Sequence, residues 1–262
     1  MIQPSEDARQ AAYAEAYYTL RHRKGATPAQ ARARVRDPNL FGMMMVHQGD
    51  ADACVSGLTC EYPEVIRPAL QVFHTKPGVA HAAGVYLLIV RGQVYLFGDA
   101  TVNIDPDAET LAETALLAAD FAARIGLTPR VAMISFSNFG SVPHPLAAKV
   151  RRATELVRAR RPELAVDGEM QADVAVMPEL IERRFPFSRV KGANVLIFPN
   201  LEAANVAYKL LQRLGGAETI GPILLGVNAP IYVLQVGDDV DEVVSITAAA
   251  VMEAQARAGA RH

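Results

Sequence analysis

Apolar positions in the first fifty residues recur at helical spacing and only later bunch into short runs, so helices lead and strands come late. Ser5 or Asp7 is placed to cap a helix running to about Lys24, with Gly25 as its terminator. Thr27-Pro28-Ala29-Gln30 is a capping box with Pro at the first helical position, and the helix it opens should stop before Asp37-Pro38. A third short helix through Phe41 to His47 meets Gly49, and Ala53 to Ser56 reads as a short buried strand.

From Val85 onward the periodicity changes. Val85 to Val90 and Val94 to Phe97, joined by Arg91-Gly92-Gln93, predict an antiparallel hairpin. Asp107 caps a long helix ending at Gly126. Strand Arg130 to Ile134, helix Pro145 to Arg160, strand Leu164 to Val166, helix Gln171 to Arg184 and strand Asn194 to Phe198 then alternate. That alternation implies an α/β fold with mostly parallel pairing. The stretch Val195 to Gln235 reads as strand, loop, helix, loop, strand, and the last helix, Val240 to about Ala258, aligns Val243, Val244, Ala248 and Val251 on one face. Two strand-to-helix corners stand out, Phe198-Pro199-Asn200 and Ser135-Phe136-Ser137-Asn138-Phe139-Gly140-Ser141. In open α/β sheets such corners are where small ligands bind. Three helices precede the first strong strand, whereas α/β domains commonly open on a central strand, so the chain reads as lacking its natural beginning.

Length and composition narrow the class. The chain has 262 residues, enough for one large domain or two small ones, and two are expected. Hydrophobic residues make up 51% and charged residues 21%, which fits a globular protein, and the absence of Trp makes the core mostly aliphatic. Acids and bases are interspersed around a net charge of −2, so there is no basic footprint for nucleic acid. Cys54 and Cys60 have neither metal-site nor disulfide-framework spacing, which suits a reducing compartment, and cytoplasm is expected. The charged start MIQPSEDARQ does not resemble a signal peptide, and no run of about 18 apolar residues suggests a membrane span.

Six scattered histidines show no ligand spacing, so no metal is expected. The serine elbow and the usual nucleotide fingerprints are missing, which leaves Ser135, Ser137 and Ser141 as loop hydrogen-bonding residues. The pairs Arg151-Arg152 and Arg160-Arg161 read as solvated helix faces. Arg21, Arg67 and Arg213 differ because each lies in an apolar or aromatic setting. Guanidinium groups bind phosphate in bidentate fashion, so these three could hold a phosphorylated ligand. For Arg21 and Arg213 the competing reading is a favourable charge near a helix C-terminus.

At these residues the chain resembles the phosphate acetyl/butyryltransferase family, collinearly from about Tyr13 to Gln255. The blocks that carry the resemblance are YTLRHRKG, DPNLFGMMMVHQGDADACVSG, VIRPALQVFHTKPGV, PRVAMISFSNFGS, LAVDGEMQADVAVMPEL, ANVLIFPNLEAANVAYKLLQRLGG and GPILLGVNAPIYVL. The resemblance implies two α/β lobes of mostly parallel sheet flanked by helices, an acyl-CoA and phosphate cleft between them, and a homo-oligomer. Residues 84–214 would form one lobe, and 1–83 with 215–262 the other. The family's opening strand-helix-strand unit is expected to be missing.

The resemblance also assigns residues. Arg21, Arg67 and Arg213 match phosphate-side arginines, while Ser137, Asn138 and Asn200 lie at the two corners and complete the expected ligand set. Glu242 aligns with the carboxylate that helps activate the CoA thiol, although an acid in the first turn of a helix is also favoured structurally. Active members carry Ser-Arg-Gly after the last strand, where this chain reads Gln235-Val236-Gly237. Losing one charged donor to a developing oxyanion costs about 3 kcal/mol, roughly a hundredfold in rate. The Ser137-Asn138-Phe139-Gly140 loop is similar to that of the C-terminal domain of bacterial NADP-dependent malic enzymes. On this resemblance the chain is expected to be an acetyl-CoA-binding regulatory domain, with malate oxidation in a separate N-terminal half and its own transferase activity largely lost. The alternatives are an active phosphate acyltransferase using acetyl-CoA as substrate, and an oligomerisation module without ligand.

Overall fold

Residues 2–259 are described in the computed structural model, with side chains through Arg257. The chain divides into two compact units, residues 1–77 with 227–262 and residues 78–226. Helix α1 spans Gln10–Arg21 and runs into a short 3-10 turn closed by Gly25 at φ +88°. It starts later than the capping signals predict because the Asp7 carboxylate is spent on the Arg9 backbone N–H and guanidinium, at 2.9 Å each. Helix α2, Pro28–Arg34, opens on the expected reciprocal box: Gln30 N–H donates to Thr27 Oγ1 and Thr27 N–H to Gln30 Oε1. Asp37 caps α3, Pro38–Gln48, and Gly49 ends it in the left-handed conformation. Strand β1, Cys54–Ser56, and helix α4, Tyr62–Phe73, complete this part of the first unit.

The second unit begins with the antiparallel hairpin of β2, Ala83–Val90, and β3, Gln93–Gly98. Arg91 and Gly92 both adopt positive φ at its turn, as a tight two-residue hairpin requires. There follow α5 (Ala108–Arg124, capped by Asp107), β4 (Arg130–Ile134), α6 (Pro145–Arg160) and β5 (Ala165–Met170). The strand at β5 runs further than its apolar start predicts, because Asp167 and Glu169 are buried with partners. The single helix expected after it is two, α7 (Ala172–Val176) and α8 (Pro178–Arg184). Pro178 lacks an N–H and holds Met177 extended at φ −106°, ψ 99°. Strand β6 (Val195–Ile197), helix α9 (Leu201–Arg213) and strand β7 (Glu218–Leu225) close the unit.

Strands in this unit run in the order β7-β2-β3-β6-β4-β5, with β3, β6, β4 and β5 mutually parallel. Five fully buried or nearly buried alanines of α5 (Ala112, Ala115, Ala118, Ala119, Ala122) allow close helix-on-sheet packing. On α9, Ala204 and Tyr208 face the core, where Tyr208 stacks on Tyr86 at 4.0 Å between ring centroids.

The apolar run after Gly221-Pro222 is not one strand. It ends at Leu225, and Gly226 takes φ +82° where an added Cβ would lie 3.1 Å from Leu117 and Val79. The chain then re-enters the first unit as β8, Ile231–Val233, parallel to β1, and finishes in α10, Val240–Gly259. The inward face of α10 differs from the expected one. Ile246 and Ala250 are buried, whereas Val244 is 61% and Val251 48% exposed. The inward stripe continues in polar residues that a hydrophobicity pattern misses: Glu253 accepts from Tyr232 Oη at 2.8 Å, and Arg257 pairs with Glu253.

Candidate functional site

In the first unit the C-terminal ends of β1 and β8 emerge side by side because the strands are parallel. Leu234 N–H donates to Ser56 O at 2.8 Å, and a Cβ on Gly57 would fall 2.2 Å from Leu234 O, so only glycine fits there. The loop after β1 leads into α4 and Arg67. The loop after β8 carries Gln235 and Val236 and leads to Glu242 on α10.

Arg21 joins this end through helix packing. Tyr17 Oη donates to Gln71 of α4 at 3.0 Å, one turn from Arg21 and from Arg67. Tyr13 bonds Asp50 just past α3, and Phe73 lies 6.2 Å from His47 near the end of α3. The first half of α1 and the last turn of α4 thus share one end of α3, so α1 and α4 run antiparallel. Arg21 and Arg67 are carried toward the opposite end of α3, where Asn39 bonds Ser56 Oγ at 2.5 Å. Arg67 is exposed and Arg21 half-buried, and neither has an ion-pair partner among the described residues.

The turn after β8 is acidic. Val236 is 65% exposed, and Gln235 N–H donates to Asp238 Oδ2 at 2.7 Å. Burial, with Glu242 and Asp239 adding repulsion, raises the Asp238 pKa against that hydrogen bond. Glu242 and Asp239 form a reciprocal box: Asp239 N–H donates to Glu242 Oε2 at 2.8 Å and Glu242 N–H to Asp239 Oδ1 at 2.9 Å. Nearby thiol chemistry is muted, since burial pushes Cys54 up to about 11.

In the second unit the four parallel strands bring the segments after β3, β4, β5 and β6 to one end. Ser137, Asn138 and Asn200 all lie there. Asn200 caps α9, its Oδ1 accepting from Ala203 N–H at 2.9 Å. Lys149 ties the corner down by donating to Pro199 O at 3.1 Å. Arg213 is not with them. It closes the far end of α9, thirteen residues beyond Asn200, which is about 20 Å at 1.5 Å per residue.

Ser137 turns inward, as loop hydrogen bonding predicts, and Asn138, expected as a ligand residue, turns inward with it. Ser137 is fully buried and its Oγ donates to Glu169 Oε1 at 3.0 Å. Asn138 Nδ2 donates to Gln171 Oε1 at 2.9 Å, and Asn138 Oδ1 accepts from the Gln171 backbone N–H at 2.8 Å. Phe136 instead points outward, 49% exposed and edge-on to His144 at 5.6 Å.

Two buried carboxylates that organise this end are absent from the sequence reading. Asp99 accepts from the N–H groups of Gly84, Thr101, Val102 and Asn103. Glu169, with 0% of its side chain exposed, takes a bidentate contact from Arg151, so Arg151 is not merely a solvated helix residue. Burial pushes Glu169 upward, but Arg151, the Gly140 amide and the Ser137 hydroxyl outweigh it and hold the carboxyl below its ordinary range. The sequence signal for the network is a pair of acids flanking Gly168 in a segment of strand register. Arg161 likewise pairs with Asp120, at 2.7 Å.

Among the described residues no group of three His, Cys, Asp or Glu is placed to hold a metal, and no helix is long and apolar enough to cross a membrane. The profile of the family described as Phosphate acetyl/butaryl transferase matches residues 1–251. The chain is 44% identical over 235 residues to the phosphate acetyltransferase of Bacillus subtilis (strain 168), covering 88% of this chain and 73% of that protein. It is 42% identical over 261 residues to the NADP-dependent malic enzyme of Escherichia coli (strain K12), covering 97% of this chain but 34% of that protein. The solved phosphotransacetylase from Streptococcus pyogenes superposes with a TM-score of 0.91 at 40% identity, covering 96% of this chain and 77% of that one.

Proposed function

Because the chain belongs to the phosphate acetyl/butyryl transferase family, we propose that it is a phosphotransacetylase-like module that binds acetyl-CoA and regulates a malic enzyme, with little transferase turnover of its own. Arg21 and Arg67 on the first unit and Arg213 on the second are the candidates for its phosphate groups, with Asn200 at the second unit's corner. The catalytic positions of active members correspond on this reading to Gln235 and Val236, and Glu242 is a degenerate thiol-activating carboxylate.

The observation that carries the reading is the turn after β8. An exposed aliphatic side chain stands where active members place a guanidinium, and the residues that follow it include the acids Asp238, Asp239 and Glu242. An acyl phosphate approaching that turn would meet repulsion in place of neutralisation. Glu242 is also engaged as a helix-capping acid. Binding draws on other groups and survives.

Regulation on this reading is a coupling free energy: acetyl-CoA must bind one state of the enzyme assembly better than another. Homo-oligomerisation belongs to the same proposal, supported by exposed Val206 and Leu210 on α9 and Leu214 just past its end. The test is paired. Calorimetry should detect acetyl-CoA binding, while acetyl phosphate plus CoA should yield negligible acetyl-CoA. The second reading, an active phosphate acetyltransferase, is favoured by the 44% identity to the Bacillus subtilis enzyme, and brisk product formation would select it.

A further inference from the structure

At the C-terminal edge of the second unit's sheet the Ser135–Ser141 loop is tied to β5 through Glu169. Glu169 Oε1 accepts from Ser137 Oγ at 3.0 Å and from Gly140 N–H at 2.7 Å, and Glu169 O accepts from Phe139 N–H at 2.8 Å. Phe139 is held at φ +48°, a left-handed backbone that is costly for a bulky residue. Its ring is wedged against Phe185 and Phe187, each 5.0 Å away. A loop strained in this way keeps its shape only if its surroundings over-determine it.

The anchor of those surroundings is reached from α6. Arg151 Nε and Nη2 each meet the Glu169 carboxylate at 3.0 Å, closing a chain from helix to carboxylate to loop. We infer that Arg151 is a positioning residue for acyl-CoA binding: through Glu169 it fixes the Ser135–Ser141 loop in the shape that presents Phe136 outward at the strand ends. The inference rests on the acetyl-CoA reading above.

Other charged groups share the cavity of about 590 Å³ beside Glu169: Glu155 and Arg158 from α6, Asp167 from β5, and Arg189 ahead of β6. Arg158 is occupied by Asp167, and Asp167 also accepts from Ser188 and the Arg189 backbone. Arg151 is therefore the guanidinium that neutralises Glu169.

The experiment measures acetyl-CoA affinity by calorimetry for the full chain and for Arg151→Ala, Arg151→Lys and Glu169→Gln, with Arg161→Ala as a control at the other end of α6. Without the guanidinium, the burial that pushes the Glu169 carboxyl upward loses its strongest opponent, leaving hydrogen bonds such as those from the Gly140 amide and the Ser137 hydroxyl to hold it down. Arg151→Ala should then lose about tenfold in affinity at about pH 6 and less at about pH 8, relative to the unmodified chain at each pH. Arg151→Lys should recover most of the loss, Arg161→Ala should show none, and Glu169→Gln should bind weakly with no added pH dependence. If Arg151→Ala fails to fold, the Glu169→Gln result decides. Unchanged affinity in the Arg151→Ala or Glu169→Gln chain overturns the inference and leaves the acetyl-CoA reading standing. A loss of equal size at both pH values, unrescued by lysine, overturns it as mere destabilisation. No binding by the unmodified chain removes the acetyl-CoA reading and this inference with it.

Discussion

Restoring a guanidinium at position 236 isolates the one group on which the proposed loss of turnover depends. Val236 is 65% exposed on a turn, so Val236→Arg adds no side chain to a packed core and should change stability by no more than about 0.5 kcal/mol. A charged donor aimed at a developing oxyanion is worth about 3 kcal/mol, roughly a hundredfold in rate. The acidic turn subtracts from this. Pairing of the new arginine with Asp239 or Glu242 competes by up to about 1 kcal/mol for an exposed pair. The net expectation is a gain of roughly 10- to 100-fold in acetyl-CoA formation from acetyl phosphate and CoA, followed spectrophotometrically at fixed enzyme concentration. Val236→Gln, polar but uncharged, should gain little. Equal rates for the unmodified chain and Val236→Arg, whether both brisk or both nil, would refute the argument that this position limits the chemistry.

Three further outcomes follow from the geometry. Asp239→Ala removes half of the reciprocal box at the start of α10 and should cost about 1 kcal/mol in urea unfolding, because one capping bond is lost. Asp99→Asn sets an amide donor against backbone donors that now meet a carboxylate, and should cost about 3 kcal/mol, read as a lower urea midpoint with unchanged slope. The Glu169 carboxyl is held below its ordinary range in the folded chain. Its contribution to stability is complete above the unfolded value and is lost as pH falls through the folded one. Unfolding followed from neutral to acidic pH should therefore show a stability loss on the acid side that is shallower in Glu169→Gln.

The fold was legible wherever local chemistry and periodicity agree. Thr27 with Gln30 and Asp107 cap the helices they were expected to cap, and the Arg91-Gly92 hairpin forms at its expected turn. What was illegible depends on partners far away in sequence. The strand character of Asp167-Gly168-Glu169 is hidden until Arg158 and Arg151 satisfy the acids from α6. The inward face of α10 was misread because Glu253 and Arg257 lie on it, and no hydrophobicity pattern assigns buried roles to a Tyr232-bonded acid. In the first unit, the segments after β1 and β8, which lead to Arg67 and carry Gln235, Val236 and Glu242, leave the sheet side by side, and α1 packs on α4 through Tyr17 and Gln71. Ser137 and Asn138 were recognisable as loop residues, but their inward direction follows from Glu169 and Gln171 and from nothing local.

Occupancy and turnover separate physically at this kind of site. Arginines that grip phosphate groups act alike on the bound ligand and on the transition state, so they set affinity and not rate. A guanidinium at 236 would act chiefly on charge that develops during acyl transfer, and its absence falls almost wholly on the rate. The acids of this turn push in the same direction, since the Asp238 carboxyl is already raised by burial, with Glu242 and Asp239 adding repulsion, and tolerates further negative charge poorly. A site that binds acetyl-CoA without consuming it reports that ligand's concentration by simple equilibrium, which is what a coupling between binding and a separate catalytic half requires.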